Sequence, residues 1–392
     1  MQHFIVSKDA RAYQAWPDVA RTGERLVCIY AECTHHGNRE WTRISYRLSD
    51  DRGRTWSAPG FLTPGNLQSR TGYFWNCPRV IALADGRLVA VCERLESEKP
   101  GAAQPVFIWF SEDRGETWRG PFATPVSGIC PDRLVVSYHG SDDINSNNTG
   151  RGGGRGRRER WHLATHRLRT VTEADEATGT AMPGAGDVWE ERTWFSDDNG
   201  ATWQGPFIIA ASQTLRLCEG TLFPLPTGEL VCLMRENSGR GLDAFKAVSR
   251  DGGRTWSMVT EFPIPGCHRP VGGVLRSGNI MVTFRLSQGG KGWLGWWTQN
   301  FCLAWTTAES CLASVREEAC TRIMPIAYDR SPHADTGYSG WVQFPDGEIY
   351  IVYYLVDDHG LGHIRGCSLR EAEIVLPDKR SVQPDLSPQR EK

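Results

Sequence analysis

One octapeptide occurs four times in the chain, and this repeat constrains the fold more than any other feature. The copies are SDDRGRTW (49–56), SEDRGETW (111–118), SDDNGATW (196–203) and SRDGGRTW (249–256). Aspartate and serine side chains bond nearby backbone amides, glycine accepts a left-handed backbone conformation, and tryptophan packs on a neighbouring sheet. We therefore interpret the octapeptide as a turn that supports the fold and not as a catalytic element.

A second phrase, in which a glycine turn joins two apolar strands, occurs beside the first. Five copies cover residues 17–30, 78–94, 220–236, 269–285 and 339–354, and a sixth at 130–139 lacks the glycine. Such turns between apolar runs are hairpin signals. Each hairpin, followed by a third strand, the octapeptide and a fourth strand, makes a four-stranded antiparallel sheet. Radial stacking buries the faces of six such sheets, so the sequence predicts an all-β, six-bladed β-propeller.

The repeat also predicts the domain organisation. Residues 1–376 form a single propeller, with an insertion at about 141–190 in blade 3, and residues 377–392 form a C-terminal tail. The glycine- and arginine-rich stretch at 141–160 is of low complexity. We expect it between the second and third strands of blade 3, on the functional side. Blades 5 and 6 have TTAESCLA and CSLREAE in place of the octapeptide.

The composition excludes several classes of partner. A net charge of −2 provides no basic surface for nucleic acid, and the apolar runs have strand length, so no membrane partner is expected. The 12 cysteines show no zinc-site spacing. We predict reduced, mostly buried thiols, no cofactor and no metal, and, because no secretion signal is seen, a cytoplasmic location. His35 and His36 are interpreted as surface or packing residues.

The meander geometry selects the candidate site. The start of the first strand and the end of the second lie opposite the octapeptide turn, where inner strands meet the central channel. Nine residues before the hairpin glycine stand Cys77, Glu219, Arg269 and Tyr338, and seven after it stand Glu93, Arg235, Arg285 and Tyr354. His139 is aligned with the second set. These residues could form a ring of satisfied ion pairs or a site that binds an anionic substrate through arginines. The mixture of Arg with Glu and Tyr favours the site.

At these residues the sequence resembles the sialidase (neuraminidase) superfamily, whose six-bladed propellers carry the Asp-box SxDxGxTW. Glu219 and Arg235 are separated by sixteen residues, as are a Glu and an Arg of that family. Tyr338 lies in a context similar to that of the family's catalytic tyrosine, and Tyr354 lies where a later YE pair begins. The resemblance implies a retaining exo-glycosidase that releases a terminal acidic sugar, sialic acid or a relative. It also implies that Tyr338 is the nucleophile and Glu219 its base, because a neutral phenol is not repelled by the sugar carboxylate.

Three family positions differ in this chain: the first arginine, the third arginine, which has no clear counterpart near Asn300, and the aspartate that acts as the acid. Asn76 occupies the place of the first arginine of the family, so Arg79, Arg269 and Arg285 are the candidates to bind the sugar carboxylate together with Arg235. The aspartate that acts as the acid catalyst in the family has no match in this chain. Asp18 and Glu93 are the candidates for that role. His268 and His139 lie at or beside the selected strand ends, and either could act as a general acid or base.

Two other functions use the same residues. In a uronic-acid polysaccharide lyase, Tyr338 and His139 would abstract a proton while Arg269 neutralises the carboxylate. A propeller that binds acidic glycans without catalysis is the other alternative, because a fold does not determine a function. The expected partner is an acidic carbohydrate in each case.

Overall fold

The computed structural model describes residues 1–37, 39–63, 73–95, 104–139, 158–171, 187–287 and 299–375. They form six four-stranded antiparallel sheets and little helix. The predicted six-bladed β-propeller is therefore confirmed. No helix in these ranges is long and apolar enough to cross a membrane.

The strands follow one another blade by blade. The chain begins with β1 (Gln2–Ser7), and blade 1 has β2 (Tyr13–Thr22), β3 (Arg25–Cys33), β4 (Thr42–Ser49) and β5 (Gly60–Phe61). Blade 2 has β6 (Phe74–Ala82), β7 (Leu88–Leu95), β8 (Pro105–Ser111) and β9 (Arg119–Ser127). Blade 3 has β10 (Val135–His139), β11 (Arg158–Arg169), β12 (Val188–Ser196) and β13 (Gln204–Ser212).

The second half of the ring has the same plan. Blade 4 has β14 (Leu217–Pro224), β15 (Leu230–Glu236), β16 (Asp243–Ser249) and β17 (Thr260–Pro265). Blade 5 has β18 (Cys267–Val274), β19 (Ile280–Ser287), β20 (Gln299–Thr306) and β21 (Arg322–Tyr328). Blade 6 has β22 (Thr336–Gln343), β23 (Glu348–Leu355) and β24 (His363–Arg370). A short helix α1 (Ala308–Leu312) and a 3-10 turn at Arg316–Glu318 replace the octapeptide in blade 5.

The first strand of each blade lies at the central channel. Strand β2 packs against β6 on one side and β22 on the other, and β14 packs against β18. Apolar side chains fill the spaces between neighbouring blades, where burial stabilises the ring. All 12 cysteines are free thiols, and all are buried except Cys320.

The N-terminal strand closes the ring. Strand β1 pairs antiparallel with β24, with Phe4 opposite Gly366, and becomes the outermost strand of blade 6. The segment CSLREAE, expected in place of an octapeptide turn, instead lies in β24 and in a 3-10 turn at Glu371–Glu373. The outer edge of β24 is therefore covered by the opposite end of the chain, and blade 6 has four strands like the other blades.

The octapeptide is a turn, as predicted. In the first copy Asp51 Oδ1 accepts from Ser49 Oγ at 2.8 Å and from the Thr55 amide at 2.9 Å. The Gly53 amide donates to Ser49 Oγ at 2.7 Å, and the Trp56 indole donates to the Gly53 carbonyl at 3.1 Å. The copies beginning at 196 and 249 repeat these contacts. These side chains are used within the turn, far from the other end of the blade.

Blade 3 differs from the expectation. Residues 135–139 form β10 alone, and the second strand is β11, so 130–139 is not a complete hairpin. His139 pairs with Arg158 across the first connection of the blade. The stretch at 141–160 therefore joins the first two strands, on the Asp-box side, and not the second and third on the functional side. Its last residues, from Arg158, belong to β11, whereas residues 140–157 and the predicted tail 377–392 lie outside the described residues.

Candidate functional site

Six residues with positive φ mark the mouth of the channel, one at the start of each inner strand. They are Trp16 (55°), Cys77 (41°), Cys130 (48°), Glu219 (50°), Arg269 (49°) and Tyr338 (39°). In five blades the pairing of the first two strands shifts at this residue, which is a β-bulge. A left-handed conformation costs about 1–2 kcal/mol for a residue with a side chain. Such strain is typical of functional sites.

A second set of side chains lies beside these six, at the end of each second strand. Its members, each paired with the residue before the bulge, are Ala31, Glu93, His166, Arg235, Arg285 and Tyr354. Counting nine residues before and seven after the hairpin glycine therefore locates both sets in blades 2, 4, 5 and 6. It misses Trp16 because the blade 1 turn is shorter, and it misses Cys130 and His166 because blade 3 has no hairpin glycine.

Tyr338, Glu219 and Arg235 form a continuous hydrogen-bond chain at the mouth. The Tyr338 hydroxyl donates a very short hydrogen bond to Glu219 Oε1. Arg235 Nη1 donates to Glu219 Oε2 at 2.7 Å, and Arg235 Nη2 donates to Asn237 Oδ1 at 2.6 Å. Tyr338 is 5% exposed and Glu219 is 7% exposed, so the pair borders the channel in a largely water-free environment.

The surroundings set the charge of this pair. Burial opposes ionisation of Glu219, but the positive charges near it, led by Arg235, outweigh burial and hold its pKa far below the usual range. Burial, and then the charge of Glu219, raise the pKa of Tyr338 well above 10.0. Burial lowers the pKa of His166 to about 4, so its neutral Nδ1 accepts the Glu219 amide at 3.3 Å. The resting site thus contains a carboxylate that accepts from a neutral phenol.

Arg269, Asp18 and Arg79, three of the predicted residues, each have at most 1% of their surface exposed. Arg269 has no exposed surface, and its guanidinium donates to the carbonyls of Glu219 and Pro131 at 3.2 and 3.0 Å. Asp18 forms an ion pair with Arg133. Arg79 donates to the carbonyl of Ser339 at 2.8 Å. These charges connect the inner strands across the channel.

Arg285, His268 and Tyr354 lie beside Tyr338. The Arg285 guanidinium is 5.7 Å from the Tyr338 ring centre and contacts Asp335 Oδ1 at 3.4 Å. The Tyr354 hydroxyl donates to Asp335 Oδ1 at 2.8 Å. Burial, with the charges of Arg235 and Arg285, lowers the pKa of His268 to about 2. His268 is therefore neutral and cannot serve as a cationic acid.

Asn76 and Glu93 form the opposite wall. Asn76 Nδ2 donates to Glu93 Oε1 at 2.6 Å, and Asn76 Oδ1 accepts from Arg39 Nη1 at 2.8 Å. Arg39 also covers the Trp16 ring at 4.3 Å. Burial raises the pKa of Glu93 to about 7. Arg39, half-buried at the mouth, therefore supplies a positive charge on the side where the family's first arginine is replaced by Asn76.

His36, interpreted from sequence as a surface or packing residue, and Asp335, not considered there, both lie at the mouth. His36 Nδ1 makes a very short contact with Asp335 Oδ2, and its ring packs edge-on against Trp16 at 5.2 Å. The ring centres of Trp16 and Tyr338 are 6.4 Å apart. Burial opposes ionisation of Asp335, but His36 and Arg285 outweigh it and lower its pKa to about 2. Asp335 lies three residues before Tyr338. This proximity in sequence was the one feature from which its place in the site could have been predicted.

His139 does not belong to this group. It lies at the end of β10 that is joined to the first connection of blade 3, on the Asp-box side. The alignment placed it at the mouth by treating residues 130–139 as a complete hairpin. His166 occupies the position that His139 was expected to have.

The comparisons with known proteins agree with this architecture. Residues 164–282 match the model of the BNR repeat-like domain. No curated protein sequence matches the chain significantly. The part matched by the family model contains two of the four octapeptides, at 196–203 and 249–256.

Solved structures share the fold at low sequence identity. A protein of unknown function from Dyadobacter fermentans is 17% identical with a TM-score of 0.68, over 94% of this chain and 98% of that one. A Hadza microbial sialidase is 16% identical with a TM-score of 0.62, over 93% and 66%. An α-L-arabinanase from Penicillium chrysogenum is 11% identical with a TM-score of 0.58, over 96% and 99%. The chain thus has the sialidase-like propeller fold, as the sequence resemblance implied.

Proposed function

We propose that this protein is a retaining exo-glycoside hydrolase that releases a terminal acidic sugar, sialic acid or a close relative. The observation that carries the proposal is the buried chain from Tyr338 through Glu219 to Arg235. A phenol paired with a carboxylate is a nucleophile that an anionic sugar does not repel. The sialidase among the proteins of the same fold is consistent with this substrate class.

In the first step Tyr338 forms a bond to the anomeric carbon while the bond to the leaving oxygen breaks. The phenol proton passes to Glu219, which the short hydrogen bond already positions to accept it. Phenolate formation is costly in this buried place. The positive charge that develops on the sugar and the guanidiniums of Arg269 and Arg285, 5.8 and 5.7 Å from the ring centre, offset the cost.

We assign the proton donor to His36. Its Nδ1 contacts Asp335, which orients the ring, and the side chain is 35% exposed at the mouth. His36 gives its proton to the leaving oxygen. In the second step it accepts a proton from the water that attacks the anomeric carbon, while Tyr338 recovers its proton from Glu219. Asp18 and Glu93, the donors expected from sequence, are both completely buried.

The sugar carboxylate is assigned to Arg235, Arg285 and Arg39. The Arg285 guanidinium lies 5.7 Å from the centre of the Tyr338 ring, that of Arg39 lies 4.3 Å from the centre of the Trp16 ring, and that of Arg235 is bonded to Glu219. Arg269 and Arg79 have other roles in this proposal, because they are only 0% and 1% exposed, against 6% for Arg285, and donate to backbone carbonyls. An arginine fork suits a carboxylate better than lysine would.

Substitution of the nucleophile tests the proposal. We expect Tyr338→Phe to lower kcat/KM for a fluorogenic sialoside by roughly 10³-fold or more, since the covalent step is lost. Tyr328→Phe, at a tyrosine that is 62% exposed, is the matched control and should hydrolyse the sialoside normally. Equal hydrolysis by Tyr338→Phe and wild type would remove Tyr338 from the mechanism. Saturable binding of sialic acid by a wild-type protein without turnover would instead favour the non-catalytic alternative.

The lyase alternative receives less support. Of the residues that it would use, His139 lies on the Asp-box side and Arg269 is held on backbone carbonyls, so Tyr338 remains alone. An unsaturated product, seen as new ultraviolet absorbance on incubation with a polyuronate, is the result that would revive it.

A further inference from the structure

Two cysteines from neighbouring blades meet at the mouth of the channel. Cys77 and Cys130 are the positive-φ residues of blades 2 and 3, and their sulfur atoms are 3.5 Å apart. Both are buried, at 3% and 7% exposure. A carboxylate oxygen of Glu93 completes the group, and the three ligand atoms all lie within 4.8 Å of one another. The positive-φ positions of two neighbouring blades therefore bring two thiols and a carboxylate to one point.

Glu93 has an unused binding capacity. Its Oε1 accepts from Asn76 Nδ2 at 2.6 Å and from the Cys130 amide at 3.1 Å. Its Oε2 is buried and has no hydrogen-bond partner among the described residues. A buried carboxylate oxygen without a partner is costly. A ligand between Glu93 and the two sulfur atoms would remove that cost.

From this arrangement we infer that Cys77, Cys130 and Glu93 form a binding site for a thiophilic divalent metal ion of the Zn²⁺ class. Tetrahedral zinc with zinc–sulfur bonds of about 2.3 Å holds its sulfur ligands about 3.8 Å apart, close to the separation seen here. Two sulfurs and one oxygen are a ligand set that zinc accepts. Three protein ligands leave one position for water.

The charges near the group suit a bound complex. Two thiolates, a carboxylate and a divalent cation carry a net charge of −1, and the guanidiniums of Arg39 and Arg269 act electrostatically on Cys77. Cys130 in turn acts electrostatically on Glu219 and Tyr338. The metal would therefore join blades 2 and 3 beside the proposed nucleophile. Its binding does not depend on the proposed hydrolase activity.

Cobalt titration of the whole reduced protein tests the inference. We expect a thiolate-to-cobalt charge-transfer band that saturates at one Co²⁺ per chain and that Zn²⁺ removes by displacement. Cys77→Ser and Cys130→Ser should each abolish or strongly reduce the band, and Glu93→Gln should weaken Co²⁺ binding tenfold or more. Cys320→Ser, at the exposed cysteine, is the matched control and should keep the band. Thermal unfolding of every variant establishes that it is folded.

Two results would overturn the inference. One is a band that persists in the Cys77→Ser/Cys130→Ser double variant. The other is the absence of a saturable band in the reduced wild-type protein. That absence overturns the inference even if mass spectrometry shows that Cys77 and Cys130 were joined as a disulfide before reduction.

Discussion

At the scale of single residues, one backbone conformation is used six times with different side chains. The positive-φ position holds an aromatic ring in blade 1, thiols in blades 2 and 3, and then Glu219, Arg269 and Tyr338. These positions surround the mouth, so Tyr338 of blade 6 and Glu219 of blade 4 meet in one hydrogen-bonded group although they are 119 residues apart in sequence. The strain of each bulge is offset by the burial of the sheets around it.

The assignment of the proton donor gives a prediction at this scale. His36→Ala should lower kcat/KM by about 10²- to 10⁴-fold for a sialoside with an alkyl leaving group, because the leaving oxygen then departs without a proton. An aryl sialoside, whose leaving group needs little protonation, should be affected far less. His35→Ala, at the exposed neighbour, is the control. A similar loss for both substrates would show that His36 is not the donor.

A buried carboxyl group outside the catalytic pair predicts how stability depends on pH. Burial raises the pKa of Glu191 from 4.5 to about 8. As the pH rises between these values, the unfolded chain releases this proton and the folded chain retains it, so the free energy of unfolding falls. Glu191→Gln removes this dependence, and we expect wild type to lose roughly 2–5 kcal/mol relative to the variant across that interval. Urea denaturation at the two ends of the interval measures the difference.

Glu317→Gln, at an exposed glutamate, is the control for this comparison. A constant difference between wild type and Glu191→Gln at every pH would contradict the expected titration.

At the scale of elements, most of the fold and part of the site could be predicted from sequence. The four octapeptides and five hairpin glycines determine the blades, and the distance from the glycine locates Glu219, Arg235, Arg285 and Tyr338. The same count failed in blade 3, where the first two strands are joined by a long connection. The loops could not be predicted because no repeat covers them, so His36 and Arg39 were missed. Cys77 and Cys130 come from different blades, and ligand spacing along one segment could not reveal them.

The Asp-box turn gives a prediction about elements. Gly53 has φ of 84°, and a Cβ atom added there would lie 2.1 Å from the Tyr350 ring. Gly86, in the hairpin turn of blade 2, has φ of 90° but no atom within 4 Å of an added Cβ. Gly86→Ala should therefore cost about 1–2 kcal/mol, the conformational cost alone. Gly53→Ala should cost about 1–3 kcal/mol more, because the ring must move.

Urea denaturation of both variants gives the comparison. Equal losses of stability would show that the Asp-box turn does not depend on its contact with Tyr350.

At the scale of the whole molecule, the ring depends on β1. This strand covers the edge of β24 in blade 6, and the same blade carries Tyr338 on β22. The contact between β1 and β24 is thus the closure through which the first residues of the chain support the proposed catalytic blade.

Removal of residues 1–7 tests this dependence. We expect the thermal midpoint to fall by several degrees or more, because the deletion removes the backbone hydrogen bonds of β1 and the packing of Phe4 on Tyr350. Activity should fall with it. Removal of residues 377–392, the predicted tail, is the control and should change neither. An unaltered midpoint after the first deletion would show that blade 6 is stable with three strands.

The closure by β1 also has a consequence for biosynthesis. A ribosome makes Gln2–Ser7 before the inner strands, but their partner His363–Arg370 is made only after the other strands of the ring. The nascent protein must therefore keep β1 unpaired, and available to chaperones, until translation has passed β24. The ring then closes through an encounter between two strands that are made at very different times.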